Sequence, residues 1–147
     1  MSRERRITEL LLGYWNIIKG NRLFPKYDDV NSHDISDIWD NCFIVHITNS
    51  SEKNKYNYLY LGTNLEQAYN GDSLTIDDAP PLASPMVDRL VNKYEEVLRS
   101  RAPIIEEDAF VNARGKTVRY RQILLPLGPN DSEVSHILGG MRYKLYE

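Results

Sequence analysis

One stretch limits the fold more than any other: residues 104–128, where two β-rich runs flank a turn. Thr117 to Leu127 is dense in β-branched and aromatic residues, as a strand is. At the two-residue period Val118, Tyr120, Gln122 and Leu124 project to one side, and Arg119, Arg121, Ile123 and Leu125 to the other. Ile104 to Val111 is a second extended run. Between them Ala113-Arg114-Gly115-Lys116 reads as a turn, because Gly115 takes φ > 0 at no steric cost. The two runs make a long hairpin, so the chain contains antiparallel sheet.

A chain of 147 residues fits one domain and buries roughly two-thirds of its unfolded surface. Apolar residues at 41% and charged residues at 27% are those of a globule, not of a disordered chain. A net charge of −3 gives no global case for nucleic acid or an anionic membrane. Cys42 stands alone, which excludes an internal disulfide and any multi-cysteine metal site. A reducing, cytoplasmic setting fits. The start, Met1 to Arg6, leads into an amphipathic stretch and not a secretory core. No run approaches the ~20 apolar residues of a membrane span. Charge is uneven in one place: residues 1–26 hold six Lys/Arg against two Glu, and residues 27–40 hold five Asp and no Lys or Arg. This reads as a helix followed by an acidic loop that partly neutralises it.

Residues 4–19 form a helix in this reading. Ile7, Leu11, Tyr14 and Ile18 share one face, and Leu10, Trp15 and Ile17 widen the apolar arc to about 160°, more than the ~100° that one covered surface needs. The extra width points to two surfaces. Leu12 falls near the far side. Gly20 ends the helix. Asn21 to Tyr27 is an extended connector, with Pro25 biasing Phe24 away from helix. Asn31 or Ser32 caps a short helix, His33 to Trp39, pinned by Ile35, Ile38 and Trp39. Cys42 to Thr48 is a strand with Phe43, Val45 and Ile47 on one face. Asn49 to Lys55 is a polar turn of about seven residues. Tyr56 to Leu61 is a second strand that sets Tyr56, Tyr58 and Tyr60 on one face. Thr63 or Asn64 caps one or two helical turns through Leu65 and Tyr69, Asn70-Gly71 is a turn, and Leu74 to Leu82 is an acidic, Pro-rich loop. Ser84-Pro85 starts a helix whose narrow apolar face is Val87, Leu90, Val91, Tyr94 and Leu98. After the long hairpin, Gly128 to Ser132 is a dense turn signal. Val134 to Tyr146 is the last strand, with Gly139-Gly140 inside it, a pair that weakens a strand unless backbone must approach closely there. The order of helix, short helix, two strands, short helix, helix and three strands is α+β with an antiparallel sheet.

These residues resemble the PAS fold, and in particular a bacterial group of short, single-domain PAS-like proteins. The matching stretches are Leu11-Leu12-Gly13-Tyr14-Trp15, Arg22-Leu23-Phe24-Pro25 with Asp34-Ile35, and Leu61-Gly62-Thr63. The most specific runs from Phe110-Val111-Asn112 through Arg119-Tyr120-Arg121 to Leu124-Leu125-Pro126-Leu127. The resemblance covers almost the whole chain. It implies a PAS-like five-stranded antiparallel sheet with the helices of residues 63–101 on one face and an extra N-terminal amphipathic helix. The domain would be residues 1–147, with 1–40 a helical cap and 41–147 the PAS core. It also implies a sensory or signalling role and a homodimer through the N-terminal helix. No catalytic residues come with it. The heme, flavin and chromophore binders of the wider superfamily use a His or Cys on the helical crossover. Residues 62–101 contain neither, which argues against covalent flavin and His-ligated heme, and no cofactor is expected.

Other chemistry is weak. His33, His46 and His136 lack metal-ligand spacing, though His46 and His136 fall on strands that pair in a PAS-like sheet. No metal is expected. Cys42 reads as a small buried apolar residue, not a nucleophile. Arg119 and Arg121 read as cross-strand partners of Glu106 or Asp108, with carboxylate or phosphate binding the sharper alternative.

The leading functional expectation is a non-catalytic signalling module. Its pocket lies between sheet and helices, lined by Phe43, Val45, Tyr58, Tyr60, Tyr120, Gln122 and Met141, and takes an unidentified small molecule. A chain ending at Glu147 leaves no room for an effector, so the signal passes to a separate partner or through dimerisation. The broad first helix puts that interface on Leu11, Leu12 and Trp15. One alternative is a small cone-shaped α+β enzyme doing acid–base chemistry on a hydrophobic substrate, in which a curved sheet wraps a long N-terminal helix. The other is a ligand-free interaction module with a filled core.

Overall fold

The computed structural model describes residues 3–50, 53–65, 93–111 and 114–146. Helix α1 (Arg3–Lys19) is followed by three 3-10 turns, Tyr27–Asp29, Ser32–Ile35 and Trp39–Asn41. Strands β1 (Cys42–Ser50) and β2 (Lys53–Leu61) and a 3-10 turn, Thr63–Leu65, come next. The helical residues 93–100 are α2, and β3 (Ile104–Val111), β4 (Thr117–Leu127) and β5 (His136–Tyr146) complete the fold. The five strands form one sheet in the order β2-β1-β5-β4-β3, with every neighbouring pair antiparallel. This is a PAS-like α+β arrangement. The expected features of residues 66–92, including the Ser84-Pro85 helix start, the Asn70-Gly71 turn and the Pro-rich loop, lie outside the described residues.

Each face of the sheet carries its own core, because alternate residues of a strand point to opposite faces. On the α2 side Phe43, Val45, Leu61, Val118, Leu124, Ile137 and Met141 meet Leu65, Tyr94 and Val97. On the α1 side Cys42, Ile44, Ile123, Leu125, Leu127 and Leu138 meet Ile7, Leu11, Trp15, Phe24, Ile35 and Ile38. The β4 alternation read from the sequence is the one found. Gly115 turns the β3–β4 hairpin with φ 77 and Gly20 ends α1 with φ 59. The Gly139-Gly140 pair is where both layers press closest. A Cβ at Gly139 would stand 2.1 Å from Phe43 Cζ, and one at Gly140 2.9 Å from Leu11 Cδ2. α1 packs on one face of an open sheet across β4 and β5. The cone-shaped alternative, a curved sheet wrapped round that helix, is not the arrangement found.

Four expectations change. The tyrosines of β2 do not share a face. The β1–β2 register runs Ile44↔Tyr60 and then Val45↔Tyr58, a bulge that leaves Leu59 unopposed. Tyr56 and Tyr58 pack on the α2 side, whereas Tyr60 turns to the α1 side, stacks on Trp39 at 4.4 Å and donates to Trp39 O at 2.9 Å. The polar stretch after Thr48 is mostly ladder: Thr48↔Lys55, Asn49↔Asn54 and Ser50↔Lys53 are paired, since backbone pairing overrides the weak β preference of these residues. The short helix at 33–39 is instead two 3-10 turns. Asn31 does cap the first, its Oδ1 accepting from His33 N at 3.0 Å, but Ile38 has φ −121 and ψ 1, which breaks the helical path.

The fourth change is the rotation of α1. Leu11 is fully buried and Trp15 only 3% exposed, with Trp15 Nε1 donating to Pro126 O at 2.9 Å. Leu12 is partly buried against the same core. These three residues serve the chain's own sheet, so the interface expected on them has no free surface at Leu11 and Trp15. The apolar residues left outside are on the opposite flank of the arc, Leu10 at 44% and Ile17 at 79% exposed. The acidic loop behaves as read: Asp29 pairs with Arg22 at 2.7 Å and accepts from Lys26 N at 2.9 Å. The Lys26 amide, and then Arg22, hold its carboxyl below the ordinary value.

Candidate functional site

The α2 side of the sheet is not uniformly apolar. Strand register sets Glu106 beside Gln122 and Gln122 beside Met141, a row across β3, β4 and β5, with Tyr120 two residues from Gln122 on the same face. Glu106 Oε1 accepts from Tyr120 OH at 2.9 Å and from Gln122 Nε2 at 2.6 Å. Its Oε2 lies 3.5 Å from Lys93 Nζ on α2, and the Glu106 side chain is only 7% exposed. A carboxylate taken this far from water needs both a cation and hydrogen bonds, and it has them. Lys93 also reaches Glu96 Oε2 at 3.4 Å. Burial works against the Lys93 charge, but Glu106 and Glu96 outweigh it and hold the ammonium above its ordinary value.

One polar atom of this cluster is unmatched. Gln122 is fully buried, and its Oε1 accepts no hydrogen bond among the described residues. An unmet buried acceptor costs about 1–3 kcal/mol, so such a group needs an explanation. Around it stand Tyr58 and Tyr94, hydroxyl to hydroxyl at 3.0 Å, Phe43 edge-on to Tyr58 at 6.1 Å and Phe110 tilted on Tyr120 at 5.7 Å. The frame at one end is tied down. Asn41 Nδ2 donates to Met141 O at 3.1 Å, Asn64 Nδ2 to Asn41 Oδ1 at 2.9 Å and Tyr143 OH to Asn64 O at 2.6 Å.

Of the expected lining residues, Phe43, Val45, Tyr58, Tyr120, Gln122 and Met141 come together on this face, and Tyr60 does not. Glu106, Lys93 and Tyr94 belong to the same cluster and were not among them. Glu106 was legible: pairing Val111 with Thr117 across the turn places Gln122, not an arginine, opposite it. The same parity gives Arg121 to Glu107, and these two form an ion pair, in place of the pairing with Glu106 or Asp108 read from sequence.

Elsewhere, His46 and His136 are cross-strand partners, with rings stacked at 4.6 Å, and Tyr27 stacks on the far side of His136 at 4.4 Å. Burial, then the neighbouring His46, push His136 down to about 4, while Asp28 pulls the other way. Ser135 Oγ lies 2.8 Å from His136 Nδ1. The Cys42 thiol is pushed up to about 12 by burial and then by Asp40, and it donates to Ile38 O at 3.3 Å. It is a core thiol, not a poised nucleophile. Among the described residues no three His, Cys, Asp or Glu side chains come together as metal ligands, and no helix is long and apolar enough to cross a membrane. Residues 3–142 match the family model of the PAS domain. No curated protein sequence matches the chain.

Proposed function

The chain belongs to the PAS domain family, a family of sensory and signalling modules, and on that premise we propose that it is a non-catalytic sensor of a small organic ligand. The ligand sits on the α2 side of the sheet, against Phe43, Val45, Tyr58, Tyr120, Gln122 and Met141. The observation that carries this reading is Gln122 Oε1, a fully buried acceptor with no donor among the described residues. A ligand N–H or O–H would complete it, while the tyrosine and phenylalanine rings supply apolar contact. The Glu106–Lys93 pair links that spot to α2, so occupancy has a route to a helix.

The output is self-association or a separate partner in the cytoplasm. For a second copy, the surface on offer is the flank of α1 that the sheet leaves uncovered. There Leu10, Gly13 and Ile17 line an open groove of ≈ 410 Å³ with Ile35 and Ile38, and Glu9, Asp34 and Asp37 share its lining. Native mass spectrometry of protein purified from its own host reads both parts. The expected result is a retained small molecule on the wild type, lost in Gln122→Leu, and a dimer that becomes monomeric in the Leu10→Asp/Ile17→Asp double variant. A clean apo mass from several growth conditions defeats the ligand reading and favours an interaction module with a packed core. A dimer that survives the double variant removes α1 from the interface.

A further inference from the structure

We propose that the part of the α1-side sheet face formed by the β3–β4 hairpin and the end of β5 is a docking surface for an acidic, amphipathic segment of a partner protein. In the β4–β5 ladder Arg119 lies directly opposite Lys144, and Arg121 opposite Arg142. Residues paired across an antiparallel ladder share a face, so four cations stand together in two adjoining rows. Like charges directly opposed on a sheet destabilise it. Here they do so twice, on a chain whose net charge is −3. One of the four, Arg121, is paired with Glu107, and its Nε, turned from solvent, has no acceptor among the described residues. Arg119 lies 5.9 Å from the centre of the Tyr146 ring.

Apolar residues stand among these cations. By the same parity Ile105, Val111 and Tyr146 project from this face, and they are 46%, 63% and 45% exposed. A phosphate backbone would use the charges and leave those side chains unused. The chain also carries five Asp in residues 27–40, which repel a long polyanion. A protein segment with carboxylates beside aliphatic side chains uses both features. Rows two residues apart on a strand are separated by roughly 6.7 Å, close to the roughly 6 Å between residues i and i+4 on a helix. Two glutamates one turn apart can therefore each meet one cation pair.

The probe is a fluorescein-labelled synthetic helix of about 20 residues, with Glu at i and i+4 and Leu between them, followed by fluorescence anisotropy. The wild type is expected to bind it, with affinity falling as salt rises. Arg119→Glu/Lys144→Glu is expected to weaken binding about tenfold or more. Lys144→Glu alone is expected to raise the melting temperature of the free chain, because it turns a repulsive cross-strand pair into an attractive one. Arg119→Gln/Lys144→Gln keeps the test alive if the reversed variant fails to fold. Equal peptide affinity for wild type and variants overturns the proposal. So does binding of a single-stranded oligonucleotide or of phosphatidylglycerol vesicles in place of the peptide.

Discussion

Gly139 and Gly140 are neighbours on β5, and they look onto two different molecular environments. Gly140 faces α1, where Ile7, Leu11 and Trp15 lock into Ile123, Leu125 and Leu138 and one buried indole bond to Pro126 O holds the helix. Gly139 faces the Phe43 ring, on the side that also holds Glu106, Gln122 and the Tyr58–Tyr94 pair. The first core is the kind that maximises stability: apolar and closely packed, with its buried indole N–H matched. The second keeps desolvated polar groups that a purely structural core would replace with Leu or Val. These desolvated polar groups, hydrogen-bonded to one another and ion-paired to Lys93, are what set the α2 side apart from the α1 side.

The comparison breaks first at Trp15. If the α1 side is the structural core, Trp15→Ala costs about 3–5 kcal/mol, because it opens a cavity and strands Pro126 O. Urea unfolding measures this, and a loss below about 1 kcal/mol would demote α1 to a peripheral helix. The glycine pair sharpens the contrast. Gly139→Ala drives a methyl to 2.1 Å from a buried ring and is expected to cost about 1–3 kcal/mol. Gly140→Ala meets Leu11 Cδ2 at 2.9 Å and Ile7 Cγ2 at 3.3 Å, aliphatic ends that can shift, and is expected to cost less than about 1 kcal/mol. Thermal melts of the two variants side by side decide it, and a reversed order would mean that α1 is seated more rigidly than Phe43.

An effect of comparable size, set by pH, sits at the rim of the α1 side. His136 titrates near 4 in the fold against 6.5 unfolded, so between those values the unfolded chain binds more protons. Stability is full above about pH 6.5, falls as the pH drops towards 4 and levels off below that. The loss is about 1 kcal/mol once partial contact with water is discounted. Melts from pH 7 to 4 should show this slope in the wild type and a flatter one in His136→Gln. An unchanged slope would mean that the Tyr27–His136–His46 stack opens freely to water.

Much of this architecture is legible in the sequence. The β4 alternation separated Tyr120 and Gln122 from Ile123 and Leu125, and those residues went to different cores. The glycine pair in β5 signalled close approach, and Phe43 and Leu11 supply it. Most of the α2-side face was readable for the same reason, since Phe43, Val45, Tyr120 and Gln122 follow simple alternation. Tyr60 was not, because one unopposed residue in β2 shifts its parity, and periodicity within β2 carries no trace of a slip against β1. Lys93 and Tyr94 were missed because a helix shows which of its faces is apolar but not which strand that face will meet.

Local periodicity alone determined that α1, β3 and β4 exist, where they start and stop, and which side chains share a face, because those properties depend on residues a few positions apart. The tertiary structure decided how α1 is rotated on the sheet and where β1 and β2 slip. It also decided that a carboxylate on β3 meets a lysine on α2. Each of these depends on contacts between residues distant in the chain, and the free energy of such contacts is not written in either partner alone.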